Sequence, residues 1–560
     1  MTLPTRNLSA ARRRRSSSVQ TSRLASGAAF AAALVWASFF GTTPVRTAAA
    51  GATTCESLSA LRLPNTTITS AQVVAPGAFV PPAPARGAAP EAEGRGAPGA
   101  EGGAAGGRGR AGGPAAVYAS LPSFCRVAAT LAPSSDSDIK IEVWLPAAAW
   151  NGKFQAVGNG GWAGVISYAA LAQAVAAGYA GASTDTGHVG GSAAFAPGHP
   201  EKVIDMGYRA VHEMTVQSKA IVDAFYGTAP TLSFWNGCSQ GGRQGITEAQ
   251  RYPADFDGIV AGAPAVNWMR LNGVRVAANL VAHATPESYI PPAKYSMIHN
   301  AVLEACDALD GVKDGVLEQP SRCKFDPKVL ECQGPDGPTC LTKPQVETAQ
   351  ALYAPVKHPK TGAVLSPPLL ERGSELGWGT LAGPAPVSTA LDAFKYVVFK
   401  DAGWDWRRFN AATDIELAEK MDNGVLNSAV VNLKPFFDRG GKLLMYHGWS
   451  DQQVAPGNSV DYFTKVTRAV GNSAVGKSIQ LYMVPGMGHC QGGPGTDTFA
   501  KMDAIEQWVA AGKAPESIVA AHMTAGKVDR TRPLCPYGKV AKWKGSGSTD
   551  EAANFACAAP

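Results

Sequence analysis

The sequence predicts an α/β architecture carrying one large insertion. From Ile139 onward, apolar runs of strand length alternate with helical stretches, the rhythm of a largely parallel sheet. Residues from about 266 to 435 break that rhythm with more Pro, Cys and Trp, after which the alternation returns. At the end of one apolar run stands Gly237-Cys238-Ser239-Gln240-Gly241, whose flanking glycines suit a sharp strand-to-helix turn.

Taken in order, residues 1–23 are basic and serine-rich with a run from Arg12 to Arg15, 24–41 are apolar, and Ala48-Ala49-Ala50 offers a small-residue cleavage site. Together, 1–50 read as a signal peptide, which predicts a secreted or periplasmic protein with no stable membrane association after cleavage. Residues 81–116 are almost wholly Gly, Ala, Pro, Glu and Arg, with little apolar surface to bury, and read as a disordered insertion within a first core segment, 51–265. Strands are predicted at 139–145, 154–157, 179–183, 231–235, 258–261, 442–446 and 479–484, and helices at 209–226 and 242–252. A lid domain at 266–435 and a second core segment at 436–560 complete the chain. The net charge of +6 is concentrated in the leader, so no basic stripe for nucleic acid remains. Ten cysteines without a CxxC favour disulfides over thiolate metal sites. Proximity pairs Cys306 with Cys323, Cys332 with Cys340 and Cys535 with Cys557, leaving Cys55 with Cys125 and Cys238 with Cys490. Spacing alone leaves other connectivities open.

A serine nucleophile at neutral pH needs a base, a carboxylate to orient it and donors for the developing oxyanion. Ser239, Asp451 and His489 follow the predicted strands 231–235, 442–446 and 479–484 in the order Ser, Asp, His. That order and context predict an α/β-hydrolase fold with a large inserted lid domain. The backbone N–H of Gln240 and the loop Gly158-Asn159-Gly160-Gly161-Trp162 are the candidate oxyanion donors, with Gly160 and Gly161 at its centre. His447 and Trp449 precede Asp451 on its loop and are candidate substrate contacts, although His447 has the alternative of bracing the turn. Trp378, Trp404 and Trp406 are candidates for an aromatic pocket or for lid core, and Arg372, Arg407 and Arg408 for carboxylate recognition or solvated surface. The stretch from Cys306 to Val316 gathers three carboxylates and two glycines on one loop, a donor set suited to calcium. It is not an EF-hand, because Ser321 stands where the closing glutamate would be.

Cys238-Ser239 matched by His489-Cys490, together with Asp451, resembles the tannase and feruloyl esterase family of α/β-hydrolases, which includes mono(2-hydroxyethyl) terephthalate hydrolases. The resemblance implies a disulfide between Cys238 and Cys490 that ties the serine and histidine loops together. It implies a structural calcium in the lid, held by side-chain oxygens of Asp307, Asp310 and Asp314 and main-chain carbonyls of Val312 and Val316. The implied activity is hydrolysis of small aromatic-acid esters, feruloyl or other hydroxycinnamoyl and galloyl, with terephthalate monoesters or other aryl esters as the alternative. A non-catalytic extracellular binding protein is the rival outside enzymes.

Overall fold

The computed structural model describes residues 53–82, 114–162 and 164–560. The expected signal peptide and most of the expected insertion lie outside the described residues. The last three residues of that insertion, 114–116, instead open a short helix, Pro114–Ala119. A proline suits a helix start, since its missing N–H would have no intrahelical partner there. The helix sets Tyr118 edge-on against Phe79 at 5.3 Å, and Phe79 in turn packs on Trp144 at 4.5 Å, so an apolar cluster anchors this end of the insertion.

In chain order the strands are β1 (Thr66–Val74), β2 (Phe124–Leu131), β3 (Ile139–Pro146), β4 (Lys153–Val157), β5 (Ala180–Thr184), β6 (Leu232–Cys238), β7 (Gly258–Gly262), β8 (Pro355–Lys357), β9 (Val364–Pro368), β10 (Lys442–Gly448) and β11 (Ile479–Val484). All but β8 and β9 join one sheet, ordered β1-β2-β3-β5-β4-β6-β7-β10-β11. From β5 to β11 every pairing is parallel, whereas β1, β2 and β3 add on antiparallel at one edge. Strands β5, β7, β10 and β11 are buried along their whole length, as parallel strands covered on both faces must be. Helices Ala210–Tyr226, Gln240–Arg251 and Pro456–Val470 contribute to that cover.

Between β7 and β10 the chain leaves the sheet. It forms helices Trp268–Ala282, Tyr295–Cys306 and Lys343–Leu352 and the β8–β9 hairpin, around a core that includes Trp268, Trp378 and Phe394. After β11, an antiparallel sheet that includes Ile518–Thr524 and Lys527–Leu534, and a hairpin of Val540–Trp543 with Phe555–Ala558, pack on this side of the molecule. The structure pairs Cys55 with Cys125, Cys238 with Cys490, Cys306 with Cys323, Cys332 with Cys340 and Cys535 with Cys557.

Candidate active site

β6 runs unbroken to Cys238, and Ser239 then turns the chain with φ 61° and ψ −122°, a conformation that L side chains seldom adopt. The helix Gln240–Arg251 starts at the next residue. Three backbone bonds hold the turn: Ser239 N donates to Gly262 O at 2.9 Å, and Ser239 O accepts from Arg243 N at 3.0 Å and Ala265 N at 3.3 Å. The glycines are required by contact. A Cβ on Gly237 would lie 2.5 Å from the Gly241 carbonyl oxygen, and one on Gly158 would lie 2.5 Å from the Gly241 Cα. The loop bearing Gly160 and Gly161 therefore abuts the elbow directly.

Asp451, on the loop after β10, is fully buried. Its Oδ2 accepts from His489 Nδ1 at 2.8 Å and from His447 Nε2 at 3.0 Å, and its Oδ1 from the backbone N–H groups of Gln453 at 2.7 Å and Val454 at 2.9 Å. Burial alone would raise its pKa, but His489 and His447 outweigh that and hold the carboxyl below the usual carboxylate range. His489 follows β11 and is also buried, its backbone N–H donating to Gln452 Oε1 at 3.2 Å. The Cys238–Cys490 disulfide, with Cα atoms 6.0 Å apart, joins the residue before Ser239 to the residue after His489. Among the described residues, neither Ser239 Oγ nor His489 Nε2 makes a hydrogen bond. The covalent link draws their backbones together, and such contacts commonly tighten only with substrate present.

As the first residue of its helix, Gln240 carries a backbone N–H with no intrahelical acceptor. Its side chain is buried and Oε1 accepts from Arg243 Nε at 2.7 Å. Arg243, fully buried, also donates from Nη1 to the carbonyls of Gly207 and Leu426, each at 3.0 Å. Gly161 sits at φ 52°. Its loop is fastened through Asn159, whose backbone N–H donates to Gln244 Oε1 at 3.0 Å while Asn159 Oδ1 accepts from Gln244 Nε2 at 3.1 Å. This assembly holds the groups that base-assisted attack on a carbonyl requires: a serine at a helix N-terminus, a histidine oriented by a buried carboxylate, and a glycine loop alongside.

His447 and Trp449, the candidate substrate contacts, are both buried. His447 is fully buried behind Asp451, with Nδ1 accepting from Ser459 Oγ at 2.7 Å and Nε2 also within 3.0 Å of Val454 O. Both nitrogens are hydrogen-bonded, an arrangement that braces the loop. Trp449 packs into the core beside the sheet and lines a cavity of ≈ 130 Å³ with Glu318, Met483, Pro533 and Tyr537, which none of Ser239, Asp451 and His489 lines. Trp378 and Trp406 are buried in the core of the inserted segment. Arg372 donates to Phe325 O at 2.9 Å and stacks on Tyr353, while Arg407 pairs with Asp405 at the surface.

The acidic loop fits a calcium ion by its donor chemistry. Asp310, Val312, Asp314 and Val316 line one small cavity of ≈ 20 Å³, together with Glu318, Arg530 and Arg532. Burial, reinforced by Asp314 and Asp307, pushes the Asp310 carboxyl up to about 6, a crowding of negative charge that a bound cation relieves. Asp314 Oδ2 also meets the Arg532 guanidinium. Asp307 is buried behind the loop, its two oxygens accepting from the N–H groups of Asp314 at 3.3 Å and Gly315 at 3.0 Å.

Residues 125–558 match the Tannase and feruloyl esterase family. The chain belongs to that family. It is 36% identical over 566 residues to an uncharacterized esterase of Xanthomonas campestris pv. campestris, covering 91% of this chain and 92% of the relative. It is 34% identical over 452 residues to a probable feruloyl esterase B-1 of Aspergillus oryzae, covering 77% and 83% respectively. The crystal structure of feruloyl esterase B from Aspergillus oryzae superposes with a TM-score of 0.79 at 30% identity, covering 90% of this chain and 99% of that one. A tannin acyl hydrolase from Aspergillus niger shares the fold, with a TM-score of 0.70 at 21% identity over 89% of this chain and 92% of that one. This member of the tannase and feruloyl esterase family is thus a carboxylic ester hydrolase of α/β-hydrolase fold.

Two contributors to this site carry no signal of their own in the sequence. Gln244 and Asn159 lock the glycine loop onto the elbow helix. Gln244 lies one helical turn beyond Gln240 and carries no motif of its own. Of the two roles open to His447, its hydrogen bonds fit bracing of the loop. Its place on β10, within the fully buried run Lys442–Gly448, is the signal that could have turned it inward.

Proposed function

We propose that this esterase is secreted and hydrolyses esters of hydroxycinnamic acids such as ferulic acid, with galloyl esters as the second acyl class, through an acyl-serine intermediate. His489 Nε2 takes the Ser239 proton as Oγ attacks the ester carbonyl. The tetrahedral oxyanion is held by the backbone N–H of Gln240 and by the Gly160 and Gly161 backbone. His489 then protonates the departing alcohol, and a water activated by the same ring releases the acid. Asp451 keeps the imidazole in position and stabilises its cationic form. The observation that carries the reading is the Cys238–Cys490 link flanking Ser239 and His489, combined with the 2.8 Å bond from His489 to Asp451. The names of the feruloyl esterase B relatives favour hydroxycinnamoyl over galloyl groups.

A structural calcium held by side-chain oxygens of Asp307, Asp310 and Asp314 and the carbonyls of Val312 and Val316 belongs to the same proposal. No organic cofactor is required. Export rests on the character of residues 1–50 and agrees with five disulfides, which persist in oxidising compartments. Among the described residues no helix is long and apolar enough to cross a membrane. The test is turnover of methyl ferulate, methyl gallate, mono(2-hydroxyethyl) terephthalate and a short aliphatic p-nitrophenyl ester by the wild type and by Ser239→Ala. Methyl ferulate is expected to be the preferred substrate, and the variant to lose about 10⁴-fold or more in kcat. Full activity of the variant, or turnover of the aliphatic ester alone, overturns the proposal.

A further inference from the structure

A second cluster of ligating side chains stands at the far end of the elbow helix. Glu248 lies nine residues beyond Ser239, about 13 Å along the axis. His212 comes from the helix Ala210–Tyr226 and Asp255 from the turn that leads into β7. One ligating atom from each of the three lies within 4.8 Å of the others. Glu248 is 1% exposed, its carboxyl stands beside that of Asp255, and among the described residues neither of its oxygens has a hydrogen-bond donor. A carboxylate buried without a donor is costly, and the debt must be met by a proton or a cation. Asp255 Oδ2 faces His212 Nδ1 at 2.7 Å, and the imidazole is held in plane by stacking on Tyr252, with centroids 3.7 Å apart and 6° between the rings. The nearby Lys219 ammonium does not pair with either carboxylate; it donates to the main-chain carbonyl of Asp255. The side chains of His212 and Asp255 are 27% and 12% exposed, so the cluster has an approach from solvent.

We propose that His212, Glu248 and Asp255 form a binding site for a divalent transition cation of the zinc class. One imidazole nitrogen and two carboxylate oxygens make a mixed donor set that suits zinc and its neighbours, whereas calcium and magnesium favour oxygen alone. Tetrahedral ligands about 2.0–2.1 Å from a metal stand about 3.3 Å apart, within the span these three atoms occupy. Three protein ligands leave a fourth position for water on the exposed side. The cation would pin the last turn of the elbow helix to its neighbouring helix and to the entry of β7. Its role is structural and independent of the ester chemistry at Ser239.

The test uses the full chain, kept in calcium throughout, stripped with a chelator selective for transition metals and titrated with Co²⁺ as the probe. The wild type is expected to take up one Co²⁺ per chain with the visible absorption of a tetrahedral ion, to release it to Zn²⁺, and to melt at a higher temperature with Zn²⁺ than without. Loss of an outer-shell partner typically weakens a metal site 10–100-fold, so His212→Ala and Glu248→Gln, each removing a ligand, should weaken binding by more than about 100-fold. Esterase activity is expected to persist in His212→Ala, which separates this site from the catalytic proposal. His212 is the more exposed position, so that variant serves if Glu248→Gln fails to fold. No Co²⁺ uptake, or equal uptake and spectra in wild type and His212→Ala, would mean that Glu248 and Asp255 share a proton instead, and the metal assignment fails.

Discussion

Asp451 accepts four hydrogen bonds, and only one comes from the histidine that faces the site. Both acceptors near His447 Nε2 are oxygens without protons, so that nitrogen carries the hydrogen and Nδ1 is free to accept from Ser459. His447 thereby fixes the carboxylate that fixes His489. Asp451→Asn is expected to lower kcat by about 10⁴, because an amide can hold the wrong tautomer of His489. His447→Phe fills a similar volume but deletes the bond, and should lower kcat by a smaller factor with KM for a soluble aryl ester unchanged. A KM effect with kcat intact would show that His447 touches substrate after all. The sequence leaves this role open beside substrate contact: adjacency to Asp451 says that a histidine is near, whereas its function depends on which way the ring points.

At the scale of elements, the elbow after β6 and the histidine loop after β11 are joined by one disulfide spanning 252 residues. Chain-entropy models give such a closure about 5 kcal/mol at most, but its positional effect is local. The double variant Cys238→Ser, Cys490→Ser is expected to lose kcat more than it loses folded structure, which parallel kinetics and circular dichroism would separate; unchanged kcat would reduce the bond to a staple. The turn after β5 carries a pH-sensitive group. Asp185 is buried, and burial pushes its carboxyl up to about 7, although the backbone N–H groups of Gly187 at 2.9 Å and Lys140 at 2.8 Å pull the other way. A carboxyl whose folded pKa is raised favours the fold below its ordinary pKa of 3.8, and that contribution is lost as pH rises through about 7. Urea titrations from about pH 5 to pH 8 should show the wild type losing roughly 2–3 kcal/mol relative to Asp185→Asn, which keeps the acceptor without the charge. Parallel curves would contradict that. The strands that were legible, such as β7 and β11, are short runs buried on both faces. β1 was not, because this edge strand is rich in Thr and Ser, only partly covered, and interrupted by a bulge between Ile68 and Ser70.

Across the whole molecule, the acidic loop joins parts of the chain that the sequence keeps far apart. Its acidic, glycine-bearing composition was legible, but its neighbours were not: Arg530, Arg532, Ala541 and Phe555 reach the same cavity from the C-terminal sheet and hairpin. Arg532 donates to Asp314 and stacks over the Phe555 ring at 4.0 Å, and Ala541 N donates to Glu318 Oε1 at 2.7 Å. A calcium ion there would secure the inserted segment to the C-terminal region as well as fold its own loop. Because the unfolded chain offers no such cage, calcium at about 100 times its Kd should add ~2.7 kcal/mol to stability. In a chain of this size that corresponds to a rise in Tm of only a few degrees. Differential scanning calorimetry in excess calcium and in EDTA is expected to show that rise in the wild type and not in Asp310→Ala. Arg532→Ala removes the competing guanidinium but not the cage, and should keep the calcium-dependent increment while lowering Tm in both conditions. Identical Tm with and without calcium in the wild type would leave the loop held by Arg532 and its backbone bonds alone.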